Sequence, residues 1–125
     1  MIRSVREIDV IRRATVFGLL FLFANPGAWA HHGWSSYDPE RLVKLEVPLV
    51  EVRYRNPHAE VEVDHQGRRW QVILAPIHRM ESRGLASDAM KVGKQMTIEG
   101  YPRKDGTPEI RAERITVDGK TIELR

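Results

Sequence analysis

Between Lys44 and Leu124 the chain is a succession of short segments in which apolar and polar residues alternate. A repeat of two residues is typical of a strand that buries one face. The segments are separated by turn-forming pairs, among them Asn56-Pro57, Gln66-Gly67 and Asp118-Gly119. An Asp-Gly pair between two such segments is a strong signal for a two-residue hairpin. The pattern therefore predicts a mainly β fold of antiparallel strands.

The first strand breaks this repeat. Alternate apolar residues run as far as Leu49, and from Val50 onward the alternation continues on the opposite face. A phase jump inside one strand predicts a β-bulge, which lets the strand curl from one sheet layer into another.

Residues 75–92 lose strand character. They contain a helix-like stretch at Ile77–Ser82, Gly84 where a helix would end, and a second capping signal at Ser87-Asp88. Three strands, a helical crossing and two or three further strands match the order of an OB-type barrel. We therefore predict a small OB-like antiparallel β-barrel of five or six strands with one short helical crossing. A small β-sandwich with a helical insertion is the alternative.

The first 30 residues show the ordered features of a cleavable secretory signal peptide. Four arginines precede an uncharged stretch at residues 14–24, which is well short of the roughly 20 apolar residues that span a bilayer. Asn25-Pro26-Gly27 would break a helix, and Ala28-Trp29-Ala30 places small residues where a signal peptidase cuts. We predict cleavage after Ala30 and a periplasmic or secreted protein that keeps no permanent membrane anchor.

Removal of residues 1–30 changes the charge balance. The whole chain has 20 Lys and Arg and 17 Asp and Glu, whereas residues 31–125 retain 16 and 15. This near-neutral balance gives no basis for a nucleic-acid partner, which requires a clustered basic face. The absence of cysteine excludes disulfides and thiolate ligands. We expect one OB-like domain over residues 31–125, with residues 31–43 as an N-terminal arm.

Cleavage before His31 would create a chelating group. The new terminal amine and the imidazole of His31 can hold one metal ion, and another imidazole can complete an all-nitrogen site suited to Cu(II). His58 is the preferred second ligand, because the side chains of His31 and His32 are expected to diverge. His78, near the start of the helical crossing, is a further candidate. These residues predict a copper site, while a solvated polar arm is the simpler interpretation.

Aromatic residues interleaved with arginines suggest a different kind of site. They are Trp34, Tyr37, Tyr54, Trp70 and Tyr101, with Arg53, Arg55, Arg79 and Arg103. On an OB-like barrel, such residues can line the face that binds extended ligands. Trp70 alternates in phase with Val72 and Leu74, so we assign it to the core. No nucleophile elbow, phosphate-binding glycine loop or pair of carboxylates is recognisable, so we assign no catalytic residue.

Several short segments also occur in a recognisable order. They include His31-His32-Gly33-Trp34, Asn56-Pro57-His58, Gly100-Tyr101-Pro102 and Arg111-Ala112-Glu113-Arg114. Together they resemble a family of small exported bacterial proteins of unknown function, whose usual mature start is Ala-His-His-Ser followed by an aromatic residue. Here Gly33 and Trp34 stand at the last two of those positions. The resemblance implies an exported OB-like domain and supplies no activity.

We therefore expect an exported periplasmic binding module that binds copper, as Cu(II), through a processed N-terminal histidine. The first alternative is a non-metal OB-like module that binds a peptide, an envelope component such as an envelope protein, or a small ligand. The second alternative is a copper-dependent oxidative enzyme.

Overall fold

The computed structural model describes residues 33–86 and 88–125, so the predicted signal peptide, His31, His32 and Ser87 lie outside the described residues. The described chain forms β1 (Val43–Pro48), β2 (Glu51–Arg53), β3 (Glu60–His65), β4 (Arg68–Ile73), α1 (Ile77–Ser82), β5 (Gln95–Pro102), β6 (Glu109–Val117) and β7 (Lys120–Glu123). The prediction of a mainly β fold with one short helical crossing is confirmed. Within these residues, none of the helical structure is long and apolar enough to cross a membrane.

The strands form one curled sheet in the order β1-β5-β6-β4-β3-β2, and β7 also pairs with β6. One pairing differs from the predicted antiparallel pattern, because β4 and β6 run parallel. The helical crossing and β5 separate these two strands in sequence, and such a long connection lets the chain return in the same direction. The sheet has seven strands because the first predicted strand is divided in two.

This division explains how the sheet curls. β1 lies at one edge of the sheet and β2 at the other, yet only Leu49 and Val50 connect them. The backbone N–H of Leu49 donates to the carbonyl of Lys94, next to β5, whereas that of Val50 donates to the carbonyl of Glu62 in β3. The chain thus changes strand partners within two residues, so the two edges of the sheet must approach each other. The predicted curl is therefore present. It occurs at the phase jump, where the chain exchanges one strand partner for another.

Alternation along the strands fills the inside of the curl with apolar side chains. The core includes Leu45, Leu49, Val61, Val63, Val72, Met80, Met96, Ile98, Ile110, Ile115 and Ile122. Complete burial of a side chain of this size contributes roughly 1.5–3 kcal/mol. Helix α1 inserts Met80, which is fully buried, while Trp70 packs against the core and is partly buried.

A register irregularity between Glu99 and Gly100 brings β5 very close to β6. A Cβ atom at Gly100 would overlap the carbonyl oxygen of Arg111 and lie 2.8 Å from the Cα of Ala112. Real Cβ atoms essentially never come this close to backbone atoms, so the approach of the two strands requires glycine. The predicted hairpin between β6 and β7 is confirmed, with Asp118 at φ 51° and Gly119 at φ 73°.

Candidate functional site

The N-terminal arm, residues 33–42, is tied to the ends of β5 and β6. The backbone N–H of Asp38 donates to the carbonyl of Pro102 at 2.9 Å, and that of Lys104 donates to the carbonyl of Ser36 at 3.0 Å. Tyr37 forms an isolated antiparallel bridge with Arg103 between these two bonds. The arm is therefore an ordered addition to the sheet.

Tyr37 anchors the arm from its buried side. Its side chain is 2 % exposed, and its hydroxyl donates a hydrogen bond to Oε1 of Glu109, which is 7 % exposed. The guanidinium of Arg103 lies 3.6 Å from the same carboxylate and also binds Asp105. Burial, together with the hydrogen bond to Glu109, raises the pKa of Tyr37 well above its ordinary value. Tyr37 is therefore a neutral donor to a buried carboxylate.

Trp34 lies between the arm and two guanidinium groups. The guanidinium carbon of Arg111 is 4.8 Å from the centre of the indole ring, and that of Arg125 is 4.7 Å from it. Both distances are within the range of a cation–π interaction. Tyr37 and Tyr101 meet the same indole edge to face, with ring centres 6.5 Å and 6.1 Å away.

Arg111 fixes the beginning of the described chain. Its Nη1 donates to the carbonyl of Gly33 at 3.3 Å, while its Nε is buried and has no hydrogen-bond partner among the described residues. Burial lowers the pKa of Arg111, and the neighbouring charge of Arg79 lowers it further. The Arg111 side chain thus holds the arm at Gly33, one residue after His32. Burial of its charged guanidinium costs free energy.

Cross-strand register relates this anchor to His58. Glu60 in β3 is opposite Ile73 in β4, and Ile73 is opposite Arg111 in β6. Directly opposed residues point to the same side of a sheet, so Glu60 and Arg111 share a face and lie about 10 Å apart at the backbone. His58 is half-buried and precedes Glu60 by two residues, after a cis Asn56-Pro57 bond. His58 thus lies in the loop before β3, two residues from the strand position that shares a face with Arg111.

The other predicted metal ligands are distributed differently. His31 and His32 lie outside the described residues, and His78 is exposed on α1 beside Arg79. Within residues 33–86 and 88–125, no three His, Asp or Glu side chains come together in a way that could hold a metal ion. The described residues thus contain no group of three such side chains around His58 or His78.

A pocket opens beside Trp34. It is lined by Trp34, Tyr37, Pro39, Tyr101 and Arg125, and its volume is about 160 Å³. The sequence pattern predicts the three aromatic residues as part of a binding face, but it does not identify the arginines that meet them, Arg111 and Arg125. In β6, Arg111 stands between buried Ile110 and Ala112. This alternation is the one signal that its side chain lies on the opposite face of the strand.

The remaining predicted aromatic residues lie elsewhere. The hydroxyl of Tyr54 donates to Glu81 of α1 at 2.9 Å. The indole N–H of Trp70 donates to the carbonyl of His65 at 3.3 Å, and the guanidinium of Arg68 is 5.7 Å from the ring. The predicted aromatic face is therefore divided, and only Trp34, Tyr37 and Tyr101 come together.

A family model described as a family of unknown function, DUF6152, matches residues 20–110. The match covers most of the chain. The chain belongs to this family. The resemblance that the histidine pair, the Asn-Pro-His turn and the Gly-Tyr-Pro segment indicate is confirmed, in that the family has no known function.

Curated proteins named 3-dehydroquinate dehydratase are also similar in sequence. The protein from Bacillus licheniformis is 31% identical over 68 residues, which are 54% of this chain and 42% of that protein. The one from Desulfitobacterium hafniense is 29% identical over 84 residues, or 67% and 53%. The one from Alkalilimnicola ehrlichii is 30% identical over 101 residues, or 81% and 60%. This chain thus spans about half the length of the curated relatives it matches.

Proposed function

We propose that this protein is an exported binding module that holds Cu(II) at the start of its arm. The ligands are the terminal amine and imidazole of His31, created by cleavage after Ala30, and the imidazole of His58. His32 and His78 are auxiliary candidates. All of these donors are nitrogen atoms, a set that suits Cu(II).

The hydrogen bond from Arg111 to the carbonyl of Gly33 carries this proposal. It ties the chain to the sheet two residues after His31, and the contacts of Trp34 with Arg111 and Arg125 support the same position. A ligand on an anchored arm loses less conformational entropy when it binds a metal than a ligand on a free tail. The anchor is thus a reason to expect useful affinity from residues at a chain terminus.

The proposal requires His31 and His58 to come within reach of one metal ion. The backbone positions of Glu60 and Arg111 are about 10 Å apart across two strand spacings. An extended chain covers about 3.5 Å per residue, so the two residues before Gly33 cover about 7 Å, to which the side chains of His31 and His58 add their own length. His58 precedes Glu60 by two residues, which adds up to about 7 Å, so the side chains of His31 and His58 must cover the remaining distance in a site that bridges the arm and the start of β3.

The test uses protein recovered after natural export, with its N-terminal residue identified by intact mass. We expect Cu(II) to bind with sub-micromolar affinity and at a one-to-one ratio. His31→Ala, or one additional residue ahead of His31, should weaken binding at least about tenfold, and His58→Ala should also weaken it. His65→Ala is the matched control, because His65 lies at the end of β3 remote from Glu60. Equal binding in all variants would refute the proposal.

The names of the curated relatives supply a second candidate, dehydration of 3-dehydroquinate, which similarity over 81% of the chain favours. Dehydration uses an acid and a base that titrate near the working pH. The tyrosines beside the pocket, Tyr37 and Tyr101, instead have raised pKa values because of burial and their glutamate partners. Incubation of the exported protein with 3-dehydroquinate tests the candidate, and product formed no faster than in buffer would exclude it.

A further inference from the structure

The pocket beside Trp34 combines apolar walls with a positively charged rim. Its walls are Trp34, Tyr37, Pro39 and Tyr101, and Arg125 closes it. The volume of about 160 Å³ is well below the roughly 300 Å³ at which sites for drug-sized ligands begin. A ligand that fills it is therefore about one ring in size, with a flat apolar body that can lie against aromatic side chains.

The arginines near this pocket are only partly balanced by carboxylates: Glu109 interacts with Arg111, and Glu113 lies 3.9 Å from Arg125. Arg79 donates to the carbonyl of Leu124 at 3.0 Å, and Arg111 donates to that of Gly33 at 3.3 Å. A carbonyl accepts a hydrogen bond but does not neutralise a guanidinium charge. The buried Nε of Arg111, which has no partner among the described residues, adds to this imbalance. The positive charge that a ligand in the pocket can use is therefore that of Arg125, which lines it.

Arg125 is the cation that a ligand can reach. Its side chain is 58 % exposed, and the carboxylate of Glu113 lies 3.9 Å from its Nη1. Glu113 also accepts a hydrogen bond from Tyr101 at 3.1 Å and lies 3.9 Å from Arg114. Because Glu113 also interacts with Tyr101 and Arg114, it does not occupy all the N–H donors of the Arg125 guanidinium. The remaining donors are available to the anion of a ligand.

We infer that this pocket binds a small organic carboxylate with a flat, apolar body. The body lies in the pocket against the sides of Trp34 and Tyr101 that line it, and the carboxylate accepts hydrogen bonds from the guanidinium of Arg125. An arginine fork matches a carboxylate in geometry as well as charge. The site uses no histidine, so it is independent of the copper proposal and either can fail alone.

Benzoate is the probe, and benzamide is its neutral counterpart. Titration of the exported protein, followed through the indole N–H signals by NMR, should shift the Trp34 signal and leave the Trp70 signal in place. Benzamide should bind at least about tenfold more weakly than benzoate, as expected when a charged hydrogen bond is lost.

Two substitutions complete the test. Arg125→Gln should reduce benzoate affinity at least about tenfold. Arg68→Gln, which removes an exposed arginine from the ring of Trp70, should leave it unchanged. Lack of a Trp34 shift at millimolar benzoate, equal affinity for benzamide, or equal affinity in Arg125→Gln would each overturn the inference. A benzoate response confined to Trp70 would also overturn it.

Discussion

The hydroxyl of Tyr37 donates a 2.5 Å hydrogen bond to Oε1 of Glu109, although the two residues are 72 positions apart in sequence. This bond joins the arm to the first residue of β6, and β6 is the strand that presents Arg111 to the same arm. One buried hydrogen bond therefore links the arm to the strand that anchors it.

Tyr37→Phe should reduce the free energy of unfolding by about 1–3 kcal/mol, because it leaves the buried carboxylate of Glu109 without this donor. Urea denaturation measures the change. Tyr101→Phe is the control: its hydroxyl also binds a glutamate, but the side chain is only partly buried, so the loss should be smaller. Equal losses would mean that burial does not control the strength of these bonds.

The tyrosines also predict how stability responds to alkali. All three donate to glutamates, as Tyr37 with Glu109, Tyr54 with Glu81 and Tyr101 with Glu113. Burial and then the Glu81 hydrogen bond raise the pKa of Tyr54 to about 12. The folded state therefore holds protons that the unfolded state releases near pH 10, so stability is complete below about pH 10 and falls as the pH rises through the folded pKa.

Urea denaturation across this pH range, with phenolate absorbance of the native protein, measures the effect. Tyr54→Phe should make the alkaline loss of stability less steep. Native phenolate absorbance that develops fully near pH 10 would contradict the prediction.

Gly100→Ala should destabilise the protein by about 1–3 kcal/mol or more, because the new methyl group would collide with the backbone of β6 at Arg111 and Ala112. Gly93→Ala is the control: Gly93 has a left-handed φ of 85° but open space around it, so its cost should be about 1 kcal/mol. Thermal or urea denaturation compares the two. A smaller loss at position 100 than at position 93 would show that the strands can separate without penalty.

Arg111→Met should weaken Cu(II) binding several-fold while it removes no proposed ligand, because the carbonyl of Gly33 loses its donor and the arm gains freedom. Titration with Cu(II), alongside far-ultraviolet circular dichroism, separates this effect from unfolding. Arg114→Met is the matched control on the same strand, since the ion-pair partners of Arg114 among the described residues are Glu99, Glu113 and Glu123, all outside the arm. Unchanged copper affinity in Arg111→Met would argue that the anchor is irrelevant to the site.

Local patterns in the sequence predict most of the elements. The helix is predicted at Ile77–Ser82 and observed there, because Pro76 and Gly84 delimit it on both sides. The β6–β7 hairpin follows from Asp118-Gly119, whose left-handed backbone the turn requires. In these places the residues that decide the structure are neighbours in sequence.

The parallel pairing of β4 with β6, and the cluster around Trp34, do not follow from such patterns. Each depends on residues separated by a long stretch of chain: Arg111 meets Gly33 across 78 positions. An arginine that alternates with buried residues indicates an outward-facing side chain but not the partner that it meets. The contacts of Arg111 and Arg125 with the Trp34 ring therefore result from the curled sheet and do not follow from a local sequence pattern.

Strand β6 hydrogen-bonds to β4, β5 and β7, whereas β2 bonds only to β3. Amide protons along β6 reach solvent only when several strand pairs separate together, so their exchange with deuterium should report global unfolding. Those of β2 can exchange through fraying of the edge alone. The molecule would then open from its outer strands inward, and the last structure to be lost would be the strand that carries both the buried glutamate and the arginine anchor of the arm.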